Sequence, residues 1–254
     1  MVLLTDFGLK DHYVGVMKGV MKGICPGLSF IDLTHEISPQ DVREGAYVLG
    51  VSYRYFPEGS VFLAVVDPGV GTERKPLALK AGGYFFLGPD NGLFTWVVKQ
   101  EKEFSARLLS NPKFFRPRIS QTFHGRDIFA PVAAHLACGA PFEALGPELK
   151  ELVLLPWPEP RFEGRRLIGS IIHVDRFGNL ITNLSEEDLS RGRVARVLYR
   201  GLEIPFLRTY GLAQRGEPLC LIGSDGFLEI AIAQGSAAEK LGAHGEVIVE
   251  FSPE

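Results

Sequence analysis

Short apolar runs alternate with helix-spaced patterns through the first half of the chain. Residues 2–5 (VLLT) predict a strand ending at Asp6, and a turn at Gly8 follows. Asp11 is then placed to cap a helix whose apolar positions Val14, Met17, Met21 and Ile24 share one face, with Pro26 and Gly27 ending it. Residues 28–33 predict a second strand, 41–55 a helix, and 61–66 (VFLAVV) a fully buried strand ending at Asp67. After the loop PGVGTERK come a strand at 84–87, the turn GPDNG and a helix of two turns. A last helix follows HGRD, with Asp127 as its expected cap, and stops near Gly139. Strand–helix–strand alternation predicts a mostly parallel sheet with helices on both faces.

The pattern changes at LPWPEPRFEG, residues 155–164, where three prolines interrupt any period. Beyond it, 167–174, 194–199, 219–222, 227–232 and 246–251 read as short strands bounded by Gly, Asn or Asp. The expected organisation is an α/β domain at 1–156, a proline-rich linker at 157–164, and a smaller antiparallel β-barrel-like domain at 165–254.

Composition narrows the partners. With 46% hydrophobic residues the chain has enough apolar surface for real cores, which excludes disorder. A net charge of -3 speaks against nucleic acid as the main partner. No run of eighteen apolar residues predicts a membrane span, and Asp6 comes too early for a signal peptide. Cys25, Cys138 and Cys220 lack metal-type spacing and are expected to be reduced, buried thiols of a cytoplasmic protein. Asn and Gln together number nine, a composition that suits a heat-adapted source.

Candidate chemistry collects where strands end, because ligands of open α/β sheets bind at the carboxyl edge. Asp6 and Asp67 both leave predicted strands there. Such an aspartate either caps a turn or holds a ribose diol, a metal or a water, and spacing leaves both readings open. The glycines of DPGVGT have neither the dinucleotide spacing nor the lysine of a phosphate loop. His124, in QTFHGRD, sits before a helix start, where the positive end of the dipole favours a neutral imidazole; a structural histidine is the alternative. The other five histidines have no suggestive neighbours. In IIHVDRFGNLITN, Asp175 and Asn179 flank a tight turn, and an Asn amide can match a purine edge or simply serve the turn. Ser224 and Glu229, in IGSDGFLEIAI, could bind a carboxylate and an amine beside a hairpin.

The combination TDFGLKDHYVGVMKGVMKGICP, IDLTHEISPQDVREGAYVL, FPEGSVFLAVVDPGVGTERK, GPDNGLF, TFHGRD and DRFGN, in that order, resembles the S-adenosylmethionine (SAM) hydroxide adenosyltransferases. These adenosine-forming SAM hydrolases are relatives of fluorinase and chlorinase. The resemblance runs over essentially the whole chain. It implies a catalytic set Asp67, Arg74 and His124, with Asp6 on the ribose and Asn179 on adenine. It further implies Tyr210 packed on adenine, Ser224 on the methionine carboxylate, and Asp175 or Glu229 on the methionine amine. Asp67 stands where the halogenases have tyrosine, and Gly125 where fluorinase has its halide-binding serine. A carboxylate there would repel halide, so water is the expected nucleophile. The resemblance implies hydrolysis of SAM, the substrate, to adenosine and L-methionine with no further cofactor. It also implies a homotrimer in which the N-terminal domain of one subunit faces the C-terminal domain of its neighbour. Competing readings are a SAM- or adenosine-binding module without turnover, a halide adenosyltransferase, and a metal-dependent hydrolase using Asp6, Asp67, Asp90 and His124.

Overall fold

The computed structural model describes residues 1–253 and divides the chain into two compact units, Met1–Leu155 and Pro156–Glu254. In the first, strands β1 (Val2–Thr5), β2 (Ile31–Thr34), β3 (Val61–Val65), β4 (Pro76–Ala81), β5 (Tyr84–Pro89) and β6 (Phe104–Leu108) form one sheet in the order β2-β1-β3-β5-β4-β6. The pairs among β2, β1, β3 and β5 are parallel, whereas β4 is antiparallel to both β5 and β6. Successive residues of a strand face opposite ways, so each sheet face has its own core. Leu3, Leu63 and Val65 pack with Met17 and Met21 of α1 (Tyr13–Ile24) and Phe129–Ala134, on which α4 (Ala130–Ala137) begins. Leu4, Phe62 and Ala64 pack on the other side with Leu49 of α2 (Val42–Ser52) and Val97 of α3 (Thr95–Gln100).

Three local expectations are corrected. Asp41 caps α2 by accepting from the Glu44 backbone N–H, but α1 starts after His12 without a side-chain cap, so Asp11 has no such role. Asp127 is not a cap either. It is fully buried and accepts from Arg126, from Arg116 and from the Ser120 N–H. Burial alone would raise its pKa; these donors outweigh it and hold the carboxyl below its usual range. Finally, Cys25 and Cys138 are not free thiols but a disulfide, joining residues 113 apart in sequence. They end α1 and α4, two helices packed side by side, so tertiary structure supplies a proximity that sequence spacing cannot reveal. Cys220 alone is free and buried.

The second unit is antiparallel. Its strands are β7 (Arg161–Glu163), β8 (Arg166–Val174), β9 (Leu180–Ser185), β10 (Val194–Tyr199), β11 (Leu202–Ile204), β12 (Pro218–Ile222), β13 (Phe227–Ile232) and β14 (Glu246–Phe251). They run in the order β11-β10-β14-β8-β9-β13-β12, with β7 on β8. Immediately after β11, Leu207 N–H donates to the Cys220 carbonyl and Cys220 N–H donates to the Pro205 carbonyl, which nearly closes the sheet into a barrel. Short helices α5 (Glu186–Leu189) and α6 (Ala237–Leu241) complete the unit. Part of the expected linker is therefore strand β7. Among the described residues no helix is long and apolar enough to cross a membrane.

Candidate functional site

Thr5 pairs with Val65 in parallel register, so Asp6 and Asp67 leave the same edge of neighbouring strands. The loop after Asp67 then folds back on itself. Thr72 Oγ1 donates to the Gly69 carbonyl at 2.7 Å and accepts from the Arg74 N–H at 3.3 Å. Gly71 has φ +76°, and a Cβ there would stand 2.2 Å from the Gln121 carbonyl oxygen, so the turn demands glycine. This loop returns Arg74 to Asp67. The Arg74 Nε donates to Asp67 Oδ1 at 2.9 Å and to Oδ2 at 3.1 Å, and Nη2 donates to Oδ2 as well. Both side chains are buried, at 8% and 5% exposure, which makes the pair far less screened than a surface bridge. Phe129 lies under the guanidinium, 5.2 Å from its ring centre.

The same Nη2 stands 2.9 Å from Nδ1 of His124. A guanidinium only donates, so Nδ1 must be the acceptor and the neutral imidazole carries its proton on Nε2. Burial first, and the Arg74 cation second, hold the imidazole below its ordinary pKa. His124 leads into a single π-helical turn, Gly125–Phe129, which continues into α4. Gly125 is tightly held: a Cβ there would meet the Phe123 ring at 3.2 Å and Met17 Sδ at 3.3 Å. Asp67, Arg74 and His124 thus form one connected charge network.

Asp6 joins no part of that network directly. Its Oδ2 accepts from the Gln40 N–H at 2.8 Å, which leaves Oδ1 uncommitted among the described residues. Asp90, a ligand only in the metal-dependent reading, accepts from the Val153 N–H at 2.9 Å; burial raises its pKa. Among the described residues no three His, Cys, Asp or Glu side chains converge to hold a metal ion.

In the second unit, Asp175 organises its own turn. Oδ1 accepts from the Phe177 and Asn179 N–H groups at 2.9 and 2.8 Å, and Oδ2 accepts from Asn179 Nδ2 at 2.9 Å. Asn179 is thereby fixed, with its carbonyl oxygen left to accept. The Tyr210 hydroxyl donates to Glu229 Oε1 at 2.5 Å, while its ring remains exposed. Glu229 is buried, and burial raises its pKa; the Tyr210 bond opposes the shift, and Asp175 and Asp225 add to it. Ser224 is exposed, with a long 3.4 Å contact to Asp225. Asp175, Asn179, Tyr210 and Glu229 are linked by these bonds and fields, whereas Ser224 stands apart.

Sequence reasoning passed over one buried group. His35 is 3% exposed; its Nδ1 lies 2.8 Å from Thr5 Oγ1 and its Nε2 3.0 Å from Asp32 Oδ1. The signal was available as polar residues at the end of one strand and around the end of its parallel neighbour.

Comparison with known proteins gives a consistent picture. Residues 1–146 match the model of the SAM hydroxide adenosyltransferase N-terminal domain, and residues 169–250 that of its C-terminal domain. The chain is 44% identical, over 94% of both sequences, to an (R)-S-adenosyl-L-methionine hydrolase of Thermus thermophilus. It is 37% identical to one from Methanocaldococcus jannaschii, over 94% of this chain and 90% of the other. A fluorinase of Actinoplanes is 33% identical over 90% of this chain and 89% of its own length. Among solved structures, an uncharacterized conserved protein from Thermotoga maritima superposes with a TM-score of 0.91 at 40% identity, covering 98% of this chain and 99% of that one.

Proposed function

The chain belongs to the SAM hydroxide adenosyltransferase family, and we propose on that footing that it hydrolyses SAM to adenosine and L-methionine by in-line attack of water on C5′. The observation that carries this reading is a buried cation, Arg74, fixed between a carboxylate and a neutral imidazole at the carboxyl edge of the sheet. SAM is a sulfonium, so methionine departs as a neutral thioether and requires no general acid. What the reaction lacks is a nucleophile, because bulk water ionises with a pKa of about 15.7.

Arg74 stabilises negative charge developing on the attacking oxygen, in a geometry that needs no rearrangement at the transition state. The Nε2–H of His124 donates to the same oxygen. Neither group can accept the proton that water gives up, since Nδ1 already accepts from Arg74. Asp67 has lone pairs to spare and passes that proton to solvent. The water oxygen bonds to C5′, the C–S bond breaks, and one proton is released for each SAM consumed. Combining hydroxide with a sulfonium removes charge, so exclusion of bulk water favours the step.

Substrate binding is divided between the clusters. Asp6 takes the ribose hydroxyls on its uncommitted oxygen. Asn179 reads adenine and the exposed Tyr210 ring packs on it. Glu229, with Asp175 beside it, meets the methionine ammonium, and Ser224 binds the methionine carboxylate. Asp175 is the weaker partner for the amine because both its oxygens already accept bonds within the turn. We propose a homotrimer in which the Asp67 cluster of one subunit meets the Glu229 cluster of the next, which would supply each half with what it lacks. We also place the enzyme in the cytoplasm of a heat-adapted cell, a setting in which intracellular disulfides persist; the low Asn and Gln content agrees. No cofactor beyond the substrate is required.

Incubation with SAM in 18O-water tests the activity. Label on the 5′ oxygen of adenosine is expected. SAM that binds yet stays intact would make the chain a binding module, and a halogenated nucleoside formed from chloride or fluoride would make it a halide adenosyltransferase.

A further inference from the structure

Beside Asp6 lies a second chain of polar side chains. Lys18 Nζ donates to Asp32 Oδ2 at 2.6 Å, and Asp32 Oδ1 stands 3.0 Å from His35 Nε2, off the line of a straight hydrogen bond. His35 Nδ1 lies 2.8 Å from Thr5 Oγ1, which in turn receives the Phe7 N–H at 3.2 Å. Thr5 is wholly buried and the His35 side chain is 1% exposed, whereas that of Asp32 is 40% exposed.

The chain runs from an ionised acid to a buried hydroxyl. Asp32 is a carboxylate: burial works against its charge, but Lys18 and His35 outweigh that and lower its pKa. A carboxylate only accepts, so His35 meets Asp32 through an N–H on Nε2, as a close polar contact and not an aligned hydrogen bond. Thr5 Oγ1 shares a hydrogen bond with Nδ1 and accepts from the Phe7 N–H. The order acid–imidazole–hydroxyl resembles a hydrolase triad. Here, however, the hydroxyl is sealed from solvent and its oxygen already takes a backbone bond, so it is no nucleophile.

What the chain holds is the turn around Asp6. Thr5 and Phe7 flank that residue, and the hydroxyl fixes the turn from one side. The His35 carbonyl accepts from the Gly8 N–H at 2.7 Å, and Gln40, at φ 68°, gives its N–H to Asp6 Oδ2. We infer that Thr5, His35 and Asp32 are positioning residues that aim the free oxygen of Asp6 at the ribose diol of the adenosyl ligand. This rests on the reading of Asp6 given above.

Equilibrium binding of adenosine and 2′,3′-dideoxyadenosine to the full chain tests it. Thr5→Val keeps the shape and removes the hydroxyl. It is expected to weaken adenosine about tenfold while changing the dideoxy nucleoside by less than about twofold, and Thr5→Ser should restore most of the affinity. Asp32→Asn, at the exposed end, should give a smaller loss of the same kind, and it serves if the buried valine impairs folding. Asp6→Ala should erase the preference between the two nucleosides. If it does, but Asp32→Asn and a folded Thr5→Val weaken both nucleosides equally or neither, the positioning chain is overturned and Asp6 keeps its role. If Asp6→Ala retains the preference, the reading of Asp6 falls and the positioning chain falls with it.

Discussion

In Met1–Leu155 the protein supplies its own positive charge: Arg74 lies between Asp67 and His124 and donates to both. In Pro156–Glu254 the cluster is acidic: Glu229 is buried, Asp175 and Asp225 repel it, and Tyr210 gives it one neutral hydrogen bond. Among the described residues no lysine or arginine pairs with Glu229. The first arrangement is preorganised and stable before substrate arrives. The second is held at a cost that a cation would relieve. On the proposed function, the ammonium of SAM would answer the acidic cluster, and the oxygen that attacks C5′ would gather its negative charge beside Arg74. Under that proposal the difference assigns chemistry to the first group and binding to the second.

Removing Arg74 should break that contrast most severely. Arg74→Ala deletes the stabilising cation and is expected to lower kcat by about 100- to 1000-fold in an adenosine-release assay, with little change in SAM binding. It also strands a buried carboxylate, so stability should fall by about 3–5 kcal/mol in urea unfolding. Arg74→Lys keeps charge but loses the two-nitrogen fork that holds Asp67, and should recover stability better than turnover. Parallel losses in SAM affinity would make Arg74 a binding residue and collapse the distinction between the clusters.

Glu229→Gln comes next and should do the reverse. Loss of a charge-assisted contact to the ammonium should raise KM by about 10- to 100-fold and leave kcat nearly intact. The ligand-free protein should become more stable near neutral pH. The sign follows from the raised pKa: the group is comfortable while protonated, and stability is lost as pH rises through its folded value and a buried charge must form. A variant that binds SAM normally would remove Glu229 from the substrate's path.

His124 has a smaller expected effect but a sharper signature. Nδ1 can accept from Arg74 only while unprotonated, so activity should fall as pH drops through a folded value below the ordinary 6.5. The unfolded chain takes the proton first, so the same residue costs folding stability below about 6.5. His124→Ala should lower kcat about 100-fold and flatten this acid limb, while the limb survives in Glu229→Gln.

The two regions also differed in how much could be read from sequence. β3 was legible because VFLAV is unbroken and buried on both faces. The strand-end aspartates were legible because such sheets gather ligands at one edge. β9 was missed because Thr182 and Asn183 interrupt its apolar run. Only the fold shows that Asn183 accepts from the Ser170 N–H and donates to the Pro158 carbonyl. Asp127 was misread as a cap because a carboxylate before a helix looks alike whether it meets free N–H groups or two arginines. His35 looked idle because its partners, Thr5 and Asp32, reach it through the pairing of β1 with β2. For β9 and His35, the part that local period and capping rules could not supply was a contact across the sheet; for Asp127 it was the fold of the loop that brings Arg116 and Ser120 back to it.

The disulfide gives the last and smallest effect on activity, and it too divides the regions. Cys25–Cys138 clamps the ends of α1 and α4, and Met17 of α1 packs beside Gly125, next to His124. The only other cysteine, Cys220 in the barrel, has a thiol pushed up to about 12 by burial and is held inert. Closing a loop of this length restricts the unfolded chain by up to about 4.7 kcal/mol, so the double variant Cys25→Ser, Cys138→Ser should lower stability by several kcal/mol. Amide exchange read peptide by peptide should quicken in α1, α4 and the strands they cover, and stay unchanged in β8, β9 and β13. At temperatures where the variant remains folded, kcat should stay within about twofold, because the bonds that align His124 are to Arg74 and not to the clamp. A large drop in kcat with the fold intact would mean that the clamp tunes the position of His124, and the first region would then be less rigidly preorganised than its closed network of bonds suggests.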